Sequence, residues 1–330
     1  EYLNGKLLSA YLGFEFVDAG DIIVFDTNGS LILEETVKRT RERLSKCENA
    51  VIPGFYGKTT EGIVKTFSRG GSDVTGSIVA RAVNADIYEN WTDVSGFLVA
   101  DPRIVENPDV ISIITYKELR ELSYMGATVL HEDAIFPVRE AGIPINIKNT
   151  NKPEDAGTMI VSDDHDFDDE TCPHTITGIA GRKGFSVINI EKAMMNSEKG
   201  FGMKVLKVLY ENGISFEHMP SGIDTMSVVV DTSTLESVED KIIAQLRKEV
   251  KPDHLEIEHG IALLAIVGRR MKNTRGTVAR LFASLAHARI NVKMVDQGSS
   301  ELNVIVGVNE NDLSEAIRRI YDMFVNSEKN

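Results

Sequence analysis

Phe67-Ser68-Arg69-Gly70-Gly71-Ser72-Asp73 runs straight into apolar positions at helical spacing, Val74, Ile78, Val79 and Ala82. Adjacent glycines let a backbone approach a bound group without Cβ clashes, and Ser72 or Asp73 has the side chain of a helix cap. The amide N–H groups that open such a helix face an anion. The string therefore reads as a loop for holding negative charge, although an ordinary tight turn leading into a capped helix fits the same residues. No Gly-Lys-Ser/Thr follows, so it is not a Walker loop, and the chain has no GxGxxG.

Outward from this loop, residues 1 to about 160 alternate helical patterns with short apolar runs such as Asp21 to Phe25, Ala50 to Ile52, Ala85 to Tyr88 and Ile143 to Ile147. That alternation predicts an α/β domain on a mostly parallel sheet. Leu7, Leu8, Tyr11 and Leu12 already carry helical spacing next to a first residue, Glu1, that is not Met, so the chain is expected to open inside an element of something longer. Asp163, Asp164, Asp166, Asp168, Asp169 and Glu170 then crowd together, and a like-charged run with little apolar content repels itself and solvates. It reads as a linker. A carboxylate site with His165 is the functional alternative, but no calcium-loop spacing supports it.

Beyond the acidic run one pattern occurs twice: an apolar strand, a loop with Lys or Arg and Gly, an amphipathic helix, a second strand. The first copy is Phe185 to Ile190, Gly202 to Asn212 and Ser227 to Val230; the second is Ile261 to Val267, Gly276 to Ala288 and Leu302 to Val308, with a last helix from Asn311 to Phe324. A duplication of two βαββαβ, ferredoxin-like α+β units follows, unless the halves are merely similar. The expected boundaries are an α/β domain over 1–162, an acidic linker over 163–173, and repeats over 174–252 and 253–330.

The whole chain of 330 residues is 42% hydrophobic and 26% charged, the balance of a globular protein with more than one core. Its formal charge of -14 argues against non-specific nucleic-acid binding. Ile261 to Val267, the longest strongly apolar stretch, is far below the roughly 20 residues of a membrane helix, and no signal core opens the chain, so a cytosolic protein is expected. Cys47 and Cys172 cannot build a disulfide framework or a multi-cysteine metal site. The histidines show no ligand spacing, and the methionines between Met194 and Met226 read as adaptable packing. No metal-ligating residue is assigned.

Further strings flank the glycine loop. Val51-Ile52-Pro53-Gly54-Phe55-Tyr56-Gly57 stands upstream; Trp91-Thr92-Asp93-Val94-Ser95-Gly96, Asp101-Pro102-Arg103 and Met125-Gly126-Ala127-Thr128-Val129-Leu130-His131 stand downstream. Taken alone, Asp101-Pro102-Arg103 could be a turn with a surface ion pair, and Trp91 reads as core packing. In this order the strings resemble the aspartate kinase branch of the amino acid kinase family, whose pattern runs PGFxG, RGGSD, WTDVxGxxxxDPR and FGAKVLHP. Glu1-Tyr2-Leu3-Asn4 is similar to that family's GExxS segment, and the double repeat to its tandem ACT domains. The resemblance covers nearly the whole chain.

It implies transfer of the γ-phosphoryl group of ATP, with Mg²⁺, to the β-carboxylate of L-aspartate. It also implies which residues act. Glu1 would meet the substrate ammonium and Arg69 its carboxylate, with Gly70, Gly71 and Ser72 lining the loop. Asp73, with Arg69 and Ser72, would act at the transfer site, and Thr92, Asp93, Asp101, Arg103 and Thr128 would lie along the nucleotide. For the repeats it implies feedback inhibition, lysine the leading effector and threonine second, in a homodimer that may pair into a tetramer. The effector residues would be Met195, Ser197, Gly200, Phe201, Gly202, Phe216, Glu217, Ser221 and Asp224; Glu217 as a solvated strand residue and the glycines as plain turns are the bland alternatives. In the second copy Lys272 to Gly276 reads as structure or pairing surface.

The chain departs from the family pattern at Asn4, at Thr128 where a phosphate-binding Lys is usual, and at Leu98 where an aromatic is expected. The family's Lys-Phe-Gly-Gly segment does not occur, so roughly a hundred front residues are expected to be absent and this polypeptide alone to have little kinase activity. The rival readings are another amino acid kinase, acting on glutamate, acetylglutamate or a nucleotide, and a non-catalytic amino-acid sensor.

Overall fold

A computed structural model describes residues 1–68, 70–126, 132–165 and 174–328. Arg69, Thr128 and most of the acidic run lie outside the described residues. The chain forms two compact units, the first from 1–98, 109–123 and the described residues between 132 and 165, the second from 99–108, 124–126 and 174–328.

The first unit begins with α1 (Tyr2–Leu12), β1 (Glu15–Phe16), α2 (Ala19–Ile22), β2 (Val24–Phe25), α3 (Leu33–Leu44) and β3 (Ala50–Val51). It continues through β4 (Tyr56–Thr59), β5 (Val64–Thr66), α4 (Gly71–Val83), β6 (Tyr88–Thr92), β7 (Ile113–Thr115), α5 (Tyr116–Tyr124), α6 (Glu132–Ala141), β8 (Ile145–Asn149) and β9 (Thr158–Val161). The expected parallel pairing joins β1 to β3, β2 to β4, β6 to β8 and β7 to β9, while β5 and the β8–β9 pair run antiparallel. The run from Asp21 to Phe25, expected as one strand, is a helical turn followed by a short strand. Asp18 makes the difference: its carboxylate accepts the Gly20 N–H at 2.8 Å and caps α2. Helix α5 opens with a capping box, the Glu118 carboxylate accepting the N–H and hydroxyl of Thr115 at 2.9 and 3.0 Å, which explains a fully buried glutamate.

The second unit contains β10 (Gly178–Glu191), α7 (Phe201–Glu211), β11 (Phe216–His218), β12 (Thr225–Asp231), α8 (Thr232–Leu235) and α9 (Glu239–Glu249). The pattern then recurs as β13 (His254–Val267), α10 (Thr277–His287), β14 (Met294–Asp296), β15 (Asn303–Asn309) and α11 (Leu313–Tyr321). All six strands lie in one antiparallel sheet, ordered β11-β12-β10-β13-β15-β14.

Both long strands are shared. Phe185–Glu191 of β10 pairs with β12, whereas Gly178–Arg182 runs beside the half of β13 that pairs with β15. Each repeat is therefore completed by a strand from the other. The exchange falls at bulges in β10, where Gly184 (φ 91) and, opposite, Gly260 (φ 73) take a left-handed backbone that side chains disfavour.

The first repeat's core packs Phe201, Val205, Val208 and Leu209 of α7 against Ile188, Ile190, Val228 and Val230, with Ile242 and Leu246 of α9 closing it. The 201/205/208/209 spacing is one helix face, and each buried aliphatic contributes roughly 1.5–3 kcal/mol.

Glu328 ties the end of the second repeat to Thr175, at the start of the first. Its carboxylate accepts the N–H and hydroxyl of Thr175 at 2.9 and 2.8 Å and the Arg280 guanidinium at 2.6 Å, while that guanidinium also lies 4.6 Å over the Phe324 ring. Burial works to raise its pKa, but the Thr175 and Arg280 donors outweigh it and hold the carboxyl below its ordinary value. With a depressed folded pKa, its contribution is present above the unfolded value of about 4.3 and is lost as the pH falls through the folded one. Glu328→Ala is expected to cost about 2 kcal/mol at pH 7. The difference in melting temperature should narrow below about pH 4; an equal difference at both pH values would refute the assignment.

Candidate active site

Helix α4 is capped by Gly70 in the left-handed region (φ 58, ψ 22), with no side-chain cap hydrogen bond. Ser72 and Asp73, expected as caps, instead occupy its first turn. Their N–H groups, with that of Gly71, form the open positive end of the helix among the described residues.

The glycines here are dictated by contact. A Cβ on Gly71 would stand 2.6 Å from the Phe67 Cβ and 2.9 Å from the Phe55 ring, and one on Gly54 would stand 3.0 Å from the Ser72 backbone. Pro53-Gly54-Phe55 thus lies directly on the turn. Phe55 takes φ 80, held there because its N–H donates to the Thr75 hydroxyl at 3.3 Å and its carbonyl accepts the Phe67 N–H at 3.0 Å. A bulky residue in that region carries strain of about 1–3 kcal/mol, of the kind that clusters at ligand sites. The first turn of α1 reaches the same loop, since a Cβ on Gly5 would meet Pro53 at 3.3 Å, and Glu1 is exposed at its start.

Strand β6 supplies the other wall. Tyr88, Asn90 and Thr92 alternate with the exposed Glu89 and Trp91. Asn90 donates through Nδ2 to the Asp73 carboxylate at 2.9 Å, and the Tyr88 hydroxyl donates to the Asp73 carbonyl at 3.2 Å. Burial, with the Asp73 charge adding to it and the Asn90 hydrogen bond opposing it, pushes the Tyr88 phenol up to about 12, so it stays a neutral donor. Gly76 leaves room for that ring. Sequence reasoning missed Tyr88 and Asn90, though the period-two alternation ending at Thr92 was the available signal.

Trp91 corrects an expectation. It is 45% exposed rather than core, its indole N–H donating to Glu89 at 3.2 Å and the Lys148 ammonium lying 5.4 Å over its ring. Thr92 holds its loop through a carbonyl that accepts both the N–H and the hydroxyl of Thr150 at 2.8 Å, and its own hydroxyl donates to Asp93 at 3.3 Å. Asp101 and Arg103 belong to the second unit. There the Arg103 guanidinium, 86% exposed, is paired with Asp101 at 2.6 Å and holds that carboxyl below its ordinary pKa. This is the turn with a surface ion pair, and Arg103 would have to leave it to reach a phosphate.

In the first repeat, Lys192 and Asn196 donate through their backbones to the carbonyls of Asp224 and Ile223 at 2.8 and 3.1 Å, and the Met194 N–H donates to the Asp224 carboxylate at 2.8 Å. The structure thereby joins the two expected loops, 194–202 and 221–224. Met195 and Phe201, expected to contact an effector, are buried core side chains turned away from solvent. Ser197, Gly200 and Gly202 remain at the loop, with Gly200 (φ 76) capping α7. The Ser221 hydroxyl donates to the Met219 carbonyl at 3.3 Å, and Phe216 is exposed. Glu217 is no solvated strand residue: its side chain is 10% exposed, 3.6 Å from Arg182, and accepts the Tyr124 hydroxyl. Glu198, not singled out from sequence, bridges the Lys192 and Lys204 ammonium groups, which draw its carboxyl down to about 2. In the second repeat Lys272 to Gly276 borders an open cleft of about 740 Å³ shared with Gln297 and Ser299.

A family model described as the amino acid kinase family matches residues 1–149, and one described as the ACT domain matches residues 264–324. Aspartokinase 3 of Bacillus subtilis is 39% identical over 330 aligned residues, covering 97% of this chain and 72% of that protein. The aspartokinase of Schizosaccharomyces pombe is 32% identical, covering 82% of this chain and 55% of that one. Among solved structures, Clostridium acetobutylicum aspartate kinase matches with a TM-score of 0.88 at 55% identity, over 98% of this chain and 73% of its own. E. coli aspartokinase III, solved with aspartate and ADP, matches with a TM-score of 0.68 at 23% identity, over 94% of this chain and 69% of that chain, and shares the fold.

Fold and family matches together define an amino acid kinase domain followed by an ACT domain. The chain belongs to the aspartokinase family, phosphotransferases that act as kinases.

Proposed function

We propose that the protein transfers the γ-phosphoryl group of ATP to the β-carboxylate of L-aspartate, forming 4-phospho-L-aspartate, and that an amino acid bound to the first repeat inhibits it. The observation that carries the reaction is the Gly70-capped start of α4, packed against Gly54, with Asp73 held by Asn90. The acceptor is already an anion, so no strong general base is needed; the work is to hold two anions in line and offset charge on the transferring group. Helix amides from Gly71 to Asp73 suit the anions, and Arg69, by its place in the motif, suits a bidentate grip on the substrate carboxylate.

Among the described residues no group of three or more His, Cys, Asp or Glu side chains could hold a metal ion. These residues do not form a cage for Mg²⁺, which would arrive on the nucleotide phosphates. Among the described residues no helix is long and apolar enough to cross a membrane, and a cytosolic location agrees with the composition.

Lysine is the favoured effector, with Glu217 as the acid proposed to meet its ammonium group; threonine is second. A homodimer through this repeat is supported by large apolar side chains left exposed on it, Met203 and Tyr210 on α7, Phe216 on edge strand β11 and Ile223 in the turn after it. The test is trapping of the acyl phosphate as hydroxamate by the full-length protein, with aspartate or glutamate as acceptor and with lysine or threonine added. Aspartate-dependent product suppressed by lysine is expected. Product with glutamate alone would sink the substrate assignment, and indifference to both amino acids the regulatory one.

A further inference from the structure

We propose that the His218–Asp296 pair is a positioning device through which the second repeat sets the geometry of the effector-binding strand in the first, a reading that rests on the regulation proposed above. Strand β11 has three residues, lies at a sheet edge, and its ladder to β12 slips register between Phe216 and His218. Backbone pairing of that kind holds a strand weakly.

Side chains make up the difference. Glu217 and His218 reach different partners from this slipped segment. Glu217 meets Tyr124 and Arg182, the latter also 3.5 Å from Asp231. His218 Nδ1 is 2.8 Å from Asp296 Oδ2. Arg182 sits in the part of β10 that pairs with the second repeat's strands, and Asp296 ends β14, the edge strand at the far side of the same sheet. The sheet must therefore curl until its two edges meet through one side-chain pair. With the His218 side chain 19% exposed and that of Asp296 42%, water competes only in part for the contact.

Glu217 is thus aimed by a strand whose backbone ladder is short and slipped and which His218 ties to Asp296 of the second repeat. Removing Asp296 leaves β11 free to shift on its His218 side, and the Glu217 carboxylate moves with it. His218 and Asp296 touch no effector in this account; they act through Glu217.

The test compares Asp296→Ala, Asp296→Asn and His218→Ala with the unchanged full-length protein. Lysine and threonine affinity is read by calorimetry, and amide hydrogen exchange at Phe216 to Met219 is read without effector. The alanine variants are expected to weaken effector binding roughly tenfold and to speed exchange at β11. Asp296→Asn, which keeps an acceptor for the imidazole N–H, should stay within about twofold. Unchanged affinity and exchange in the alanine variants would overturn the inference, as would equal losses in the Asn and Ala variants accompanied by a fallen melting temperature. If the unchanged protein binds neither amino acid, the regulatory reading falls and the inference with it; failure of the inference alone is recognisable because the unchanged protein still binds.

Discussion

Asp73→Ala is expected to lower the aspartate-phosphorylating kcat of the full-length protein by roughly a hundredfold or more, with little change in melting temperature. The carboxylate stands in the first turn of α4, and one of its oxygens is committed to the Asn90 amide at 2.9 Å. An acid in that position favours the helix dipole by about 0.5 kcal/mol, too little to require an asparagine to hold it in one orientation. The anchoring makes sense if the second oxygen must face cations that gather around the transferring phosphoryl group. Rate and stability separate the two roles. A variant that melts a degree or two lower yet turns over normally would reduce Asp73 to a helix-end charge, and the catalytic reading of the loop would go with it.

Gly157→Ala is expected to be the most damaging small substitution in the first unit, on the order of 3–4 kcal/mol. Gly157 takes φ 76, and a Cβ there would stand 1.9 Å from the carbonyl oxygen of Ile147. Neither neighbour can yield easily: Ile147 is fully buried in β8, and the next residue, Thr158, pairs with it in β9 and donates its hydroxyl to the Ile111 carbonyl at 2.6 Å. Gly142→Ala is the control. Gly142 also has a positive φ, 68, but nothing lies within 4 Å of an added Cβ, so it should lose about 1 kcal/mol for backbone conformation alone. Equal losses at the two sites, measured by urea unfolding, would show that the close approach to Ile147 carries no cost.

Local chemistry is legible in the sequence. The helix after Gly70, the mostly parallel pairing of the first unit and the duplicated strand–helix pattern follow from spacing, because apolar periodicity and glycine act over a few residues. Helix α9 carries the same signal in Ile242 and Leu246, with Val250 at its C-cap. Trp91 shows where such reasoning stops: an aromatic in a strand suggests core, and which face of β6 meets α4 is a matter of packing. The capping of α4 shows it again, since Ser72 and Asp73 have the right side chains and the close fit of Gly71 on Phe67 puts the cap at Gly70 instead.

What the sequence by itself determined is the inventory: a paired-glycine turn leading into a helix, and two copies of one α+β unit. Tertiary structure decided the partners. It split β10 and β13 between the repeats, closed Glu217 onto Arg182 and Tyr124, and brought His218 to Asp296 from the opposite edge of the sheet. No local pattern encodes those choices, because each depends on how far a sheet bends at Gly184 and Gly260, and that bend is set by the packing of helices from both repeats on the sheet they share.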